Sequence, residues 1–376
     1  MQVFNPIKLI KLNNFNIQQL EVKFDQENLS EQDAKLLGKV LEKLKNLKTL
    51  HFNFMSCRII SQYSFSLLLS GVIKVQSLTS LTINLDQQKL DQQEVFNLSS
   101  VLAQAKNLIY LSILMQDHNL IKQGAFQLGQ ALENLKNLKS LTLDLSQSKE
   151  KGSYKLGQIG DQGLSDLSKS LSLCSNIQEL NLNLQNNNIL RKGACNLGAA
   201  IAQFKNIIKL NLQLAQVFRF YFRKLFDHTN LIFNLIIVIH FISQNIIGDQ
   251  GASDFCLELK ICQRLQILKL DLMSNEINEA GIIQIGIQLG QIENLKDLNI
   301  NLMLNNSKKQ NLEQMCQGLQ KSKSLNTIEL ILFKPYKTYL YEYHYVDNEI
   351  ILRKALGRIL QKTKYLALYN FDFKKF

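Results

Sequence analysis

Four stretches of the chain share one frame: NLKTLHFNF from Asn46, NLKSLTLDL from Asn137, NIQELNLNL from Asn176 and NLKDLNINL from Asn294. In each, apolar residues occupy the pattern LxxLxLxL. Taking the second apolar residue as an anchor gives Leu20, Leu50, Leu81, Leu111, Leu141, Leu180, Leu210, Leu268, Leu298, Ile328 and Tyr369. The steps between them are 30, 31, 30, 30, 39, 30, 58, 30, 30 and 41, so seven of ten are 30 or 31. A chain that returns to the same pattern at a fixed interval builds stacked units, each covering its neighbour's apolar face. The 376 residues, which would ordinarily suggest two or more domains, are therefore read as one domain, 1–376. Only two prolines occur, and no Pro/Gly/Ser-rich linker divides the chain.

Each unit has two halves. The alternating half has period 2 and predicts a short strand with one buried face. The half that follows is helical: Ala194, Leu197 and Ile201 fall on one helix face beside Gly198. Ala125, Leu128, Gly129 and Leu132 repeat the arrangement, as do Ala34, Leu37, Gly38 and Leu41. Small residues there let neighbouring helices approach closely. Seven residues past the anchor, Asn187, Asn275 and Asn305 recur, placed to bond the backbone of adjacent turns. Gly124, Gly193 and Gly281 recur thirteen past it, and IGDQG appears twice, at Ile159 and Ile247, as turn and helix-start signals.

These residues resemble the leucine-rich repeat family, in its long ribonuclease-inhibitor-like form with a unit of the type LxxLxLxLxxNxIGDxGAxxLGxxL. The resemblance covers nearly the whole chain. It implies an α/β solenoid, a horseshoe of about 11 repeats with a parallel sheet on the concave side and helices on the convex side. The units from Leu50 and Leu81 depart from the pattern, with Cys57 and Gln88 at the Asn position.

The step of 58 marks an insertion. Removing Val217–Gln244, 28 residues, restores a step of 30 and brings Asn245 and Gly251 onto the Asn and Gly positions. The segment contains the apolar run Leu231–Ile242, too short for the roughly 20 residues a membrane span needs. It could also be a docking loop carrying six phenylalanines. The reading preferred here is a translated intron: valine codons begin with GT, as introns do, and a Gln encoded by TAG matches an intron's AG end. The polar stretch Ser148–Gly157 reads as a surface loop, and the Tyr-rich insertion 334–349 as a loop near the C-terminal cap or a recognition loop. Unit one starts almost at Met1, leaving little room for an N-terminal cap, which points to the repeat portion of a longer chain.

No metal or redox spacing relates the six cysteines, which read as buried free thiols in a reducing compartment. The five histidines are scattered, and no hydrolase, zinc-protease, P-loop or kinase signature occurs. We expect no catalysis, no cofactor, no metal and no transmembrane segment. The absence of a signal peptide suggests a cytoplasmic address.

Binding is expected on the strand positions facing the concave surface: Asp86, Thr142, Asp144, Asn181, Asn183, Asn211, Gln213, Lys269, Asp271, Asn299 and Asn301. Asp144, Asn181, Asn183, Asn211 and Asp271 lie mid-array. Replacing Asp144 and Asn183 by Arg is expected to abolish partner capture with the thermal melt unchanged. This face is slightly acidic, whereas the chain carries a net charge of +12, so the basic excess lies elsewhere. Lys45, Lys106, Lys136, Lys205, Lys323 and Lys364 stand five before the anchor, and Lys48, Lys139 and Lys296 two before it. They predict a basic edge that complements the helix C-termini or meets an anionic surface. Few aromatics interleave with basic residues on the concave face, which argues against nucleic acid. The sequence thus suggests a non-catalytic scaffold for a protein partner. The alternatives are a regulator of a small GTPase or nuclease, or the repeat part of a larger kinase-type enzyme.

Overall fold

The computed structural model describes residues 2–5, 8, 15–24, 30–55, 62–86, 90, 92–116, 122–147, 158–215, 245–303, 305–306, 309–331 and 365–368. The fold is an open α/β solenoid. Its parallel sheet runs β1 (Gln2–Phe4), β2 (Gln19–Lys23), β3 (Thr49–Asn53), β4 (Ser80–Asn84), β5 (Tyr110–Leu114), β6 (Ser140–Asp144), β7 (Glu179–Asn183), β9 (Lys209–Gln213), β11 (Ile267–Asp271), β12 (Asp297–Asn301), β13 (Thr327–Ile331) and β14 (Tyr365–Leu368), each beside the next. Helices α1 (Glu31–Lys43), α2 (Gln62–Val72), α3 (Gln92–Leu102), α4 (Lys122–Leu132), α5 (Gly160–Ser172), α6 (Arg191–Ala202), α7 (Gly248–Leu259), α8 (Glu279–Leu289) and α9 (Lys309–Leu319) form the other layer. The short strands β8 (Ile189–Leu190) and β10 (Asn245–Ile246) pair separately. Strands repeat about every 4.8 Å, closer than packed helices can. Stacking the two layers one to one therefore curves the solenoid, with the sheet inside.

The register confirms the thirty-residue ruler. Leu20, Leu50, Leu81, Leu111, Leu141, Leu180, Leu210, Leu268, Leu298 and Ile328 stand side by side, and none is more than 2% exposed. Two points of sequence arithmetic are corrected. Ile328 pairs with Leu366, not Tyr369, so the last step is 38 and Lys364 stands two, not five, before the anchor in sequence. The strand frame also begins earlier than unit one: Gln2 pairs with Leu20 and adds a strand before it. That strand lacks the apolar anchor, so periodicity could not find it.

β9 and β11, fifty-eight residues apart, pair directly through Leu210 and Leu268. The described chain on both sides of 216–244 therefore continues one repeat. Residues 217–244 themselves lie outside the described residues, as do 148–157, 334–349, Cys57, Gln88, Lys364 and Tyr369.

Two asparagine ladders lock the stack. The first was anticipated. The side chain of Asn245 donates to Leu184 O (3.1 Å) and Leu214 O (3.0 Å), and its Oδ1 accepts from Asn187 N (3.2 Å) and Ile189 N (2.7 Å). Asn305 repeats this toward Asn275 N and Ile277 N, both at 3.0 Å. All the groups around Asn245 are buried, where an unpaired amide is costly. The residues flanking Asn187 and Asn275 are held in the left-handed region: Asn186 (φ 59°), Asn188 (φ 56°), Ser274 (φ 54°) and Glu276 (φ 55°).

The second ladder uses the asparagine that opens the NLK motif, four before the anchor. Asn107, Asn137, Asn176 and Asn294 donate to Gln76 O (2.9 Å), Lys106 O (3.0 Å), Lys136 O (2.7 Å) and Gln263 O (2.6 Å) of the preceding unit. The recurrence was visible in the sequence, but its exposed position hid its structural role.

IGDQG divides its work by position. Gly160 and Gly248 adopt φ of +62° and +66°, which suits glycine. Asp161 Oδ1 accepts from Leu190 N (2.8 Å) in the next unit, and Asp249 Oδ1 does so from Asn278 N. Gly193 and Gly281, expected as turn and helix-start signals, stand third in α6 and α8, within the first helical turn. A Cβ there would meet Asp161 Oδ1 at 2.5 Å and Asp249 Oδ1 at 2.6 Å. Near the N-terminal end, where these motifs are weaker, Phe24, Phe52, Phe54 and Phe65 fill the core. Phe24 stacks on Phe54 with ring centroids 4.3 Å apart.

Candidate functional site

The strands present alternate side chains on the inner face in three rows. The row at strand ends includes Asn84, Asp144, Asn183, Asp271 and Asn301, and these residues close turns. Each side-chain oxygen accepts the backbone N–H two residues on, at 3.0–3.2 Å. Asp144 also accepts from Ser146 Oγ (2.6 Å) and from Asn183 Nδ2 (3.0 Å). The expectation that Asp144 and Asn183 can be replaced without changing the melt is therefore corrected: both help to hold the strand ends. Asp86, expected on a strand, lies beyond the end of β4 and accepts from Gln116 N (2.9 Å) in the next unit.

In the middle row, Asn181 donates to Thr142 Oγ1 (3.2 Å), and Asn299 donates to Glu329. Among the expected contacts, Asn211 and Gln213 on β9 and Lys269 on β11 carry no side-chain bond to the described chain, and Lys269 is exposed. Sequence reasoning passed over Tyr110 and Leu114 on β5. Tyr110 is 54% exposed, and Leu114 is half-buried where the neighbouring strands carry Asn84 and Asp144. That break in the alternation was the available signal.

Burial raises the Asp271 carboxyl above its ordinary value, opposed in part by bonds from Met273 N–H and the Asn301 side chain. The folded state thus holds this proton more tightly than the unfolded chain does. The sign follows: this group's contribution to stability is fully present below about pH 4 and is lost as pH rises through the elevated value. Asp271→Asn keeps the acceptor for Met273 N. It should raise the melting temperature at pH 7, with the gain vanishing in acid, as calorimetry across pH would record.

Burial also raises the thiols of Cys174 to about 11 and of Cys256, Cys262 and Cys316 to about 12, which leaves them protonated. No cluster of three His, Cys, Asp or Glu suited to a metal occurs among the described residues. No described helix is long and apolar enough to cross a membrane. The residues of the basic edge, Lys45, Lys106, Lys136, Lys205 and Lys323, are all exposed. No protein-family model matches the chain, and a search of curated proteins finds no match.

Proposed function

We propose that the chain is a non-catalytic scaffold of the leucine-rich-repeat, ribonuclease-inhibitor-like type, binding a protein partner on the inner face of its sheet. One observation carries this reading. Across β5 to β11, Tyr110, Leu114, Asn211, Gln213 and Lys269 are displayed on rigid strands, while their neighbours hold the turns. An exposed Tyr beside adaptable polar groups is the composition that protein interfaces favour. The buried free thiols suit a reducing, cytoplasmic setting.

The test is affinity capture with Tyr110→Ala combined with Asn211→Arg, beside the parent chain. Proteins retained by the parent should be lost from the variant at an unchanged melting temperature, since the Asn211 side chain makes no bond within the described chain. Retention of the same proteins by the variant would reject the inner face as the site.

A further inference from the structure

The rim where the chain leaves each helix and starts each strand is strongly polarised. Across the nine units from Leu50 to Ile328, the residues from nine to one before the anchor hold fourteen Lys or Arg against five Asp or Glu. Elsewhere among the described residues, ten basic face sixteen acidic side chains. Only Lys74, with Glu42 (2.6 Å), and Lys209, with Glu179 (2.8 Å), form ion pairs on this rim among the described residues. The helix dipole accounts for a residue such as Lys43 in a last helical turn. It fades within about one turn and does not reach Lys48, Lys139 or Lys296.

The rim is also rigid. Lys48 O accepts from Thr79 N (3.0 Å) and Ser80 N (2.9 Å), and Lys139 O accepts from Gln178 N (2.8 Å) and Glu179 N (3.0 Å). With the NLK asparagines one step away, two rows of bonds hold the lysines in register. Among them stand two exposed aliphatic side chains, Leu173 (51%) and Ile261 (60%), each seven before its anchor. Cations along one rim, most of them without an ion-pair partner among the described residues, with apolar groups between them are the chemistry of an interfacial membrane contact.

We propose that this rim docks on an anionic phospholipid bilayer, with the lysines against the headgroups and Leu173 and Ile261 entering the interface. The rim carries thirteen lysines and one arginine, Arg264. Point charges of this kind suit a diffuse anionic surface better than the forked recognition of phosphates in RNA. The single exposed aromatic of these segments, Tyr110, gives no row on which bases could stack.

The experiment measures partition of the purified chain to phosphatidylcholine vesicles with and without phosphatidylserine. Three variants accompany the parent: Lys106, Lys136, Lys139 and Lys205 changed together to Gln; Leu173→Ser with Ile261→Ser; and Lys35, Lys39, Lys122 and Lys192 on the helical layer changed to Gln as an equal-charge control. Each lysine near an anionic bilayer adds about fivefold in affinity, so the four-lysine rim variant should bind about several hundredfold more weakly. The aliphatic variant should lose about tenfold, most evident at high salt. The control should remain within a few-fold of the parent, and all melts should match. Equal losses in the rim and control variants would overturn the proposal, as would binding that ignores phosphatidylserine. Displacement from vesicles by polyuridylate bound more tightly than the lipid would overturn it in favour of RNA.

Discussion

Asn245→Ala should lower stability by about 4 kcal/mol, a loss of about 5 °C in the melting temperature of a chain this long. The side chain joins four backbone groups: the carbonyls of Leu184 and Leu214 and the N–H groups of Asn187 and Ile189. Asn245 is 0% exposed, so water cannot replace the lost partners. Unsatisfied buried groups cost about 1–3 kcal/mol each, and partial relaxation of the loop keeps the total below their sum. Asn294→Ala removes one bond at an exposed position and should cost only about 1 kcal/mol. Thermal and chemical denaturation of the two variants would check the contrast, since the substitution is the same and only burial and the number of partners differ.

Gly71→Ala should destabilise by about 3 kcal/mol, whereas Gly38→Ala, its partner across the α1–α2 contact, should be nearly neutral. Alanine gains up to about 1 kcal/mol over glycine in a helix. At Gly71 that gain is overwhelmed, because the new Cβ would lie 2.4 Å from Gly38 Cα and 2.7 Å from Gly38 O. Both are backbone atoms, so the helices themselves must separate and forfeit contacts along the interface. At Gly38 the nearest atom is Leu67 O at 3.2 Å, a contact that relaxes with a shift of a few tenths of an ångström. Denaturant midpoints with unchanged slopes would show a loss of stability without a change of fold. Equal effects at the two positions would contradict the packing.

The legibility of this chain follows burial and recurrence. Anchors every thirty residues have one physical use, to fill a core that repeats, and the ten from Leu20 to Ile328 are buried. The ladder of Asn187, Asn245, Asn275 and Asn305 was readable because an amide after a strand has few other roles. Exposed polar residues were harder. Asp144 and Asn183 look the same in sequence whether they meet a partner or close a turn, and only the Ser146 and Gln185 N–H groups beside them decide it. The NLK asparagine was overlooked for the converse reason, an exposed residue whose partner is a carbonyl one unit away. Leu366 was missed because β14 follows an irregular step of 38 from Ile328, and Tyr369 falls at another apolar alternation nearby. Tyr110 and Leu114 required a comparison of each strand with its neighbours, row by row.

The most direct test of the repeat is a cross-strand disulfide between Asn211→Cys on β9 and Lys269→Cys on β11. These positions lie fifty-eight residues apart in sequence but are register partners in the sheet. Adjacent strands are about 4.8 Å apart, within the Cα separation a disulfide accepts. Mild oxidation of the folded double variant should give rapid, near-complete intramolecular crosslinking, read by mass spectrometry, while Asn211→Cys paired with Asn299→Cys, one strand farther, should not crosslink. Failure of the first pair to close, or equal closure of the second, would contradict the continuous stack.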